Sequence, residues 1–194
     1  TLAGDATDSD MTGMALQALA PYYNTDANVK TAVDKALTWL SGIQNKDGTF
    51  AGSEGTTSES ISQVITGLTA LGINPETDSR FIKNGVSAVD ALSQFYVQGG
   101  GFKHGLTGDR NMMATEQAYY ALVSYYRMLQ GKTSLYDMSD VTIVIPVYKI
   151  IEGANSDWQK DDDALTIRAD GEFAKFTGVK MDGKLVDSKH YTAK

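Results

Sequence analysis

The chain has 194 residues, 42% hydrophobic and 21% charged, the balance of an ordinary globular protein that can bury one large core or two small ones. Its net charge of −7 repels a nucleic-acid backbone rather than gathering it, so no nucleic-acid partner is expected. With no cysteine and only two histidines, His104 and His190, the sequence excludes disulfides, thiolate chemistry and a multi-histidine metal site.

No secretory signal opens the chain, and Thr1–Asp5 reads as a mid-protein cut, which leaves room for a targeting peptide upstream. Asp8-Ser9-Asp10 then leads into a helix over about 10–20, where aspartate suits the N-cap and the first turn. Thr25-Asp26 starts a second helix over about 27–43, with Ala32, Ala36, Leu37 and Leu40 as its apolar stripe. A glycine turn carrying Phe50 follows, then a helix over about 58–71 rich in small residues. Thr77-Asp78-Ser79 marks the start of a further helix over about 80–97, with Val86, Val89, Leu92 and Phe95 inward. A second glycine turn carries Phe102, and the last helix runs over about 112–129.

These helices repeat. Gln44 and Gln63 lie 19 residues apart, as do Gln98 and Gln117, and the equivalent leucines Leu19, Leu68 and Leu122 give periods of 49 and 54 residues. Each unit leaves apolar faces that only a neighbouring unit can cover. The phenylalanines are expected to plug between helix pairs. After Gly131–Ser134 the periodicity changes to β-like runs, Val141–Ile145 and Leu165–Arg168, and Met181-Asp182-Gly183-Lys184 reads as a tight hairpin. The charge balance shifts too, from 15 acidic and 9 basic residues up to Asp140 to 9 acidic and 8 basic beyond it. Two domains are expected, 1–134 and 141–194. No stretch is long and apolar enough to span a membrane.

The repeat of about 50 residues, with Gln44, Asp47-Gly48-Thr49-Phe50 and then a helix of small residues, resembles the terpenoid cyclase and protein prenyltransferase repeat family. Asp10–Tyr22 and Met113–Met128 look most like its bacterial extracellular members, and are similar to the helical domain of the cobalamin carriers. The resemblance covers about 5–131. It implies a mostly α fold, a partial α/α toroid of tandem helix-pair repeats amounting to under half a ring. The stretch from Ile150 to Lys194 resembles a small β-sandwich module of Gram-positive surface proteins, here incomplete, so a small C-terminal antiparallel β-sandwich-like domain is expected.

The family's chemistry does not carry over. In Asp8-Ser9-Asp10-Met11, Met11 stands where the acid motif of the cyclases has its last aspartate; capping explains the other two. Asp161-Asp162-Asp163 falls in the β region and reads as a solvated turn, and zinc or thioester chemistry lacks its cysteine. Ligand-binding candidates are Asp10, Gln63, Glu116, Gln117 and Tyr120, against the plainer reading that polar groups on an inner helix bond to the next helix. Tyr22-Tyr23, Tyr119-Tyr120 and Tyr125-Tyr126 read as packing residues, and His104 as a loop residue on the surface.

No catalytic residue, metal site or cofactor is assigned. The expectation is a non-catalytic extracellular binding or scaffolding segment of a bacterial cell-surface protein, resting on fold analogy. A cobalamin-like small-molecule carrier and a degenerate terpene-cyclase-like enzyme are the alternatives. The expected partners are a cell-wall glycan, a protein or a bulky small molecule, with another chain complementing the missing strands or helices.

Overall fold

The structure, a computed structural model, describes residues 8–143 and 146–194. It is mostly helical, with 42% of residues in helix against 12% in small antiparallel sheets. It divides into two compact units between Val141 and Thr142.

Among the described residues the first unit holds five α-helices: α1 (Ser9–Leu19), α2 (Ala27–Ile43), α3 (Ser58–Ala70), α4 (Ala88–Ser93) and α5 (Met112–Leu129). Side-chain caps fix their starts. Asp8 accepts from the Met11 N–H, Asp26 from Asn28 and Val29, Thr57 from Ser60, and Asn111 from Ala114. Ser87 and Asp90 close a reciprocal capping box on α4. Each such cap contributes on the order of 1 kcal/mol. Along α2, burial falls on Val33, Leu37 and Leu40, while Ala36 is half-buried and Ala32 faces solvent, one position away from the expected stripe.

The expected helix over 80–97 is not one helix. A 3₁₀ turn at Ser79–Phe81 leads into the hairpin Ile82–Lys83/Val86–Ser87, and only Ala88–Ser93 is α-helical. Asn84 and Gly85 both take positive φ, 50° and 81°, the backbone of a two-residue hairpin turn that overrides the helical spacing of Val86, Val89 and Leu92. Similar short hairpins, Ala51–Gly52/Gly55–Thr56 and Phe102–Lys103/Arg110–Asn111, precede α3 and α5. Phe50 and Phe102 are buried in the core of this unit, and Phe102 meets Tyr96 and Tyr119 edge to face.

Helices α1, α3 and α5 lie side by side and run in the same direction. A Cβ on Gly13 would stand 2.5 Å from the Gln63 carbonyl oxygen, and one on Gly67 would stand 2.8 Å from the Gly13 carbonyl. Further along, Gln63 meets Gln117 and Thr69 meets Ser124. Parallel helices can approach this closely because their facing residues are Gly, Ser, Thr and Ala. All of α3 but its last residue is buried between its neighbours.

Gln44 caps the C-terminus of α2 from a buried position and donates to the Gly48 and Phe81 carbonyls at 3.0 and 2.9 Å. Gln98 does not share that role. The two turns superimpose by their hydrogen bonds: the Asn45 N–H donates to the Thr49 carbonyl and the Val97 N–H to the Gly101 carbonyl. Asn45 therefore corresponds to Val97 and Gln44 to Tyr96, leaving Gln98 exposed in the turn. The hairpin before α5 is longer than the one before α3, which restores the spacing of 54 at Gln63 and Gln117.

In the second unit, Ile150–Glu152 pairs with Arg168–Ala169 across a bulge, and Lys180–Met181 pairs with Lys184–Leu185 around Asp182-Gly183. The hairpin turn has positive φ at both central residues, 51° and 78°. Of the run Val141–Ile145, Val141–Ile143 is irregular, and Val144 and Ile145 lie outside the described residues. Of Leu165–Arg168 only Arg168 joins a strand. Among the described residues of this unit none is buried, and Ile143, Val147, Met181 and Leu185 are each more than two-thirds exposed.

Candidate functional site

The side-by-side packing of α1, α3 and α5 puts one stripe of each helix on a common face. On α1 it is Asp10, Met14 and Gln17; on α3, Glu59, Gln63 and Thr66; on α5, Met113, Gln117 and Tyr120, matched by the spacings of 49 and 54. Near the helix N-termini these stripes line a cleft of about 320 Å³. Its walls are Asp10 and Met14, the hairpin residues Gly52, Ser53 and Glu54, then Thr57, Glu59, Ser60 and Gln63, His104 from the loop before α5, and Met113 and Gln117.

The cleft floor is a chain of amides. Gln17 Nε2 donates to Gln63 Oε1 at 3.0 Å, and Gln63 Nε2 donates to Gln117 Oε1 at 3.1 Å and to the Tyr120 hydroxyl oxygen. Burial holds the Tyr120 phenol far above its ordinary pKa, with the nearby carboxylates Glu116 and Asp10 adding to the effect, so it stays a neutral donor. One amide from each of α1, α3 and α5 is thereby tied to the next.

The cleft wall carries the charge. Glu59, buried in the first turn of α3, accepts from the Ser58 hydroxyl at 3.0 Å and faces His104 Nδ1 at 2.9 Å. His104 Nε2 stands 3.7 Å from Glu54. The hydrogen bond to Glu59 raises the His104 pKa above its ordinary value, against a smaller opposing effect of burial, with the charges of Glu59 and Glu54 adding to the rise. The loop is also held by backbone, since the Ser58 N–H donates to the His104 carbonyl at 2.9 Å. Asp10 sits over Gly52: a Cβ there would lie 2.8 Å from Asp10 Oδ1 and 2.9 Å from Ser60 Oγ. Any side chain at 52 would collide with both the Asp10 carboxylate and the Ser60 hydroxyl at the cleft edge.

Asp10, Gln63 and Gln117 therefore come together, and Tyr120 joins them through Gln63. Glu116 does not: it is exposed on the outer flank of α5, one residue out of the cleft stripe. Asp8 serves as the α1 cap, and Asp161–Asp163 is an exposed turn in the second unit. His104 is more than a surface residue, because Glu59 is its partner. Glu59 was legible as the residue on the Gln63 stripe one turn earlier; His104 was not, since a loop brings it across 45 residues of sequence.

A second, more open groove of about 560 Å³ runs along α2 past Thr31, Asp34, Lys35, Thr38 and Trp39. Its Asp34 is already engaged by Lys30 at 2.9 Å and by the Tyr23 hydroxyl at 2.8 Å. Among the described residues no three His, Asp or Glu side chains converge as a metal site, and no helix is long and apolar enough to cross a membrane. Comparison with protein-family models, curated proteins and solved structures gave no match.

Proposed function

We propose that the chain is a non-catalytic binding segment of a bacterial cell-surface protein, and that the cleft between α1, α3 and α5 is its recognition site for a small polar ligand. The observation that carries this reading is the convergence of Asp10, Glu59, Gln63, Gln117 and His104 from three helices and a loop on one concave face. Such convergence of donors and acceptors is what fixes a ligand's orientation. Parallel α1, α3 and α5, spaced 49 and 54 residues apart, support reading the helical part as a stretch of α/α toroid. The hairpins and uncovered apolar residues of the second unit support reading it as part of a β-sandwich surface module. An extracellular setting follows from those two resemblances.

The cleft volume favours a ligand the size of one sugar ring or a short peptide. About 320 Å³ is near the bottom of the roughly 300–1,000 Å³ range of small-molecule sites, too little for a corrinoid macrocycle. Against an acyl-transfer or hydrolytic enzyme stands the pairing of the hydroxyls: Ser60 bonds to Thr57 at 2.8 Å, and His104 turns to Glu59 rather than to an alcohol.

Titration with soluble cell-wall muropeptides, followed by amide chemical shifts, tests the reading. The expected result is saturable binding with shifts confined to residues around the cleft, weakened at least tenfold by Asp10→Asn and by Gln117→Ala. Absence of binding, or binding untouched by both substitutions, overturns it.

A further inference from the structure

The amides of Gln17, Gln63 and Gln117 form a chain with a direction, and the backbone fixes it. Gln17 Nε2 lies 3.4 Å from the main-chain carbonyl oxygen of Gln63, an acceptor only, so that end of Gln17 is its NH2. Gln63 therefore meets it through Oε1, at 3.0 Å, and turns its own NH2 to Gln117 and Tyr120. Gln117 Oε1 accepts twice, from Gln63 Nε2 at 3.1 Å and from the Tyr120 hydroxyl at 3.5 Å. Each amide polarises the next, which strengthens the last donor of the chain. That donor is Gln117 Nε2, which has no partner among the described residues and belongs to a residue of the cleft wall.

An unspent NH2 takes an acceptor, either a carbonyl or an anionic oxygen, and the rest of the wall decides between them. Asp10, Glu54 and Glu59 line the cleft, and the base among them, His104, already stands between Glu59 and Glu54. Among the described residues no lysine or arginine lines it. A ligand carboxylate or phosphate on Gln117 would add to a wall that is already net negative, so the acceptor is a neutral carbonyl. Met113 lies one turn before Gln117 on the same face of α5 and also lines the cleft. A carbonyl bonded to Gln117 brings its other substituent toward that thioether side chain, which suits a methyl group. Across the cleft, Asp10 has room for donors: Oδ1 accepts from the Ser9 hydroxyl at 3.2 Å, and Oδ2 has no partner among the described residues.

We infer that the cleft recognises an N-acetylated amino sugar by its acetamido group, the carbonyl accepting from Gln117 Nε2, the methyl packing on Met113 and ring hydroxyls donating to Asp10. The inference rests on the cleft being the chain's recognition site, and it adds which part of the ligand is read.

Three sugars that differ at a single ring carbon test it: N-acetylglucosamine, glucosamine with an ammonium group there, and glucose with a hydroxyl. Titration of the whole chain, followed by the Gln117 side-chain NH2 and Met113 methyl resonances, should saturate with N-acetylglucosamine and run roughly tenfold weaker or more with the other two. Gln117→Glu keeps the acceptor that Gln63 and Tyr120 use but loses the NH2, so it should stay folded and lose the preference. Glucosamine binding as tightly as the acetylated sugar, the result expected if negative charge alone selected the ligand, overturns the inference. So does a Gln117→Glu chain that still prefers the acetylated sugar. Muropeptides that bind the cleft, with no advantage of N-acetylglucosamine over the other sugars, overturn acetamido recognition and leave the recognition site standing. A cleft that takes neither muropeptides nor sugars overturns both.

Discussion

Alanine in place of Gly13 should destabilise the helical unit, although the same change elsewhere in a helix does the reverse. Intrinsic propensity favours alanine over glycine in a helix interior by about 1 kcal/mol. Against this, the new methyl would lie 2.5 Å from the Gln63 carbonyl oxygen and 2.6 Å from its carbon, both backbone atoms of a fully packed helix. Neither can rotate away, so α1 must move off α3 by the better part of an ångström and loosen Leu16 and Val64, both buried beside that contact. Overpacking of this kind costs about 1–3 kcal/mol where side chains can adjust, and a backbone obstacle belongs at the upper end or just beyond. The balance is a loss of about 2 kcal/mol, or a Tm lower by roughly 6–12 °C for a unit of this size. Gly42→Ala is the matched control: it lies in the last turn of α2 with nothing within 4 Å of the added carbon, so a gain of up to about 1 kcal/mol is expected. Urea denaturation of both variants, read by far-ultraviolet circular dichroism, gives the two numbers. A Gly13→Ala protein as stable as wild type would refute the close parallel approach of α1 and α3.

Replacing His104 by glutamine should flatten the pH dependence of stability. The folded pKa of His104 is raised, so its contribution is fully present below the unfolded value near 6.5 and fades as pH rises through the higher folded pKa. Thermal melts at acid and mildly alkaline pH should therefore differ more in wild type than in His104→Gln, and an NMR titration of the ring protons should place its midpoint above 6.5. Gln63→Leu should cost about 1–3 kcal/mol by stranding Gln17 and Tyr120, and less than additively with Gln117→Leu, since the amides act as one chain. Denaturant midpoints of the two single variants and the double variant measure that coupling. Gly85→Ala should cost about 1 kcal/mol through backbone conformation alone, because φ is 81° and the added carbon meets nothing within 4 Å. An unchanged melting temperature would mean that the Asn84-Gly85 hairpin does not form.

Local signals were legible where one strong rule acted alone. Asp8 and Asp26 mark helix starts because a short polar side chain satisfies orphan N–H groups wherever it stands before a helical run. Asn84-Gly85 was a conflict between two rules, helical spacing against turn chemistry, and the turn prevailed because both residues tolerate positive φ. The match of Gln98 to Gln44 failed for another reason. Spacing in sequence passes over a hairpin of different length, whereas the backbone hydrogen bonds of the two turns identify Tyr96 as the true counterpart.

The cleft divides the same way. By itself the sequence determined that the chain is mostly helical and singled out Asp10, Gln63, Glu116, Gln117 and Tyr120 as polar candidates, because helical period and capping are local and additive along the chain. Only the tertiary structure decided that Glu116 turns away from the cleft stripe, that Gly13 and Gly67 let two backbones touch, and that His104 crosses from a loop to the Glu59 carboxylate. Those outcomes depend on how closely parallel helices can approach and where an irregular loop ends. Both are set by contacts between residues 45 to 54 apart in sequence, which no local pattern encodes.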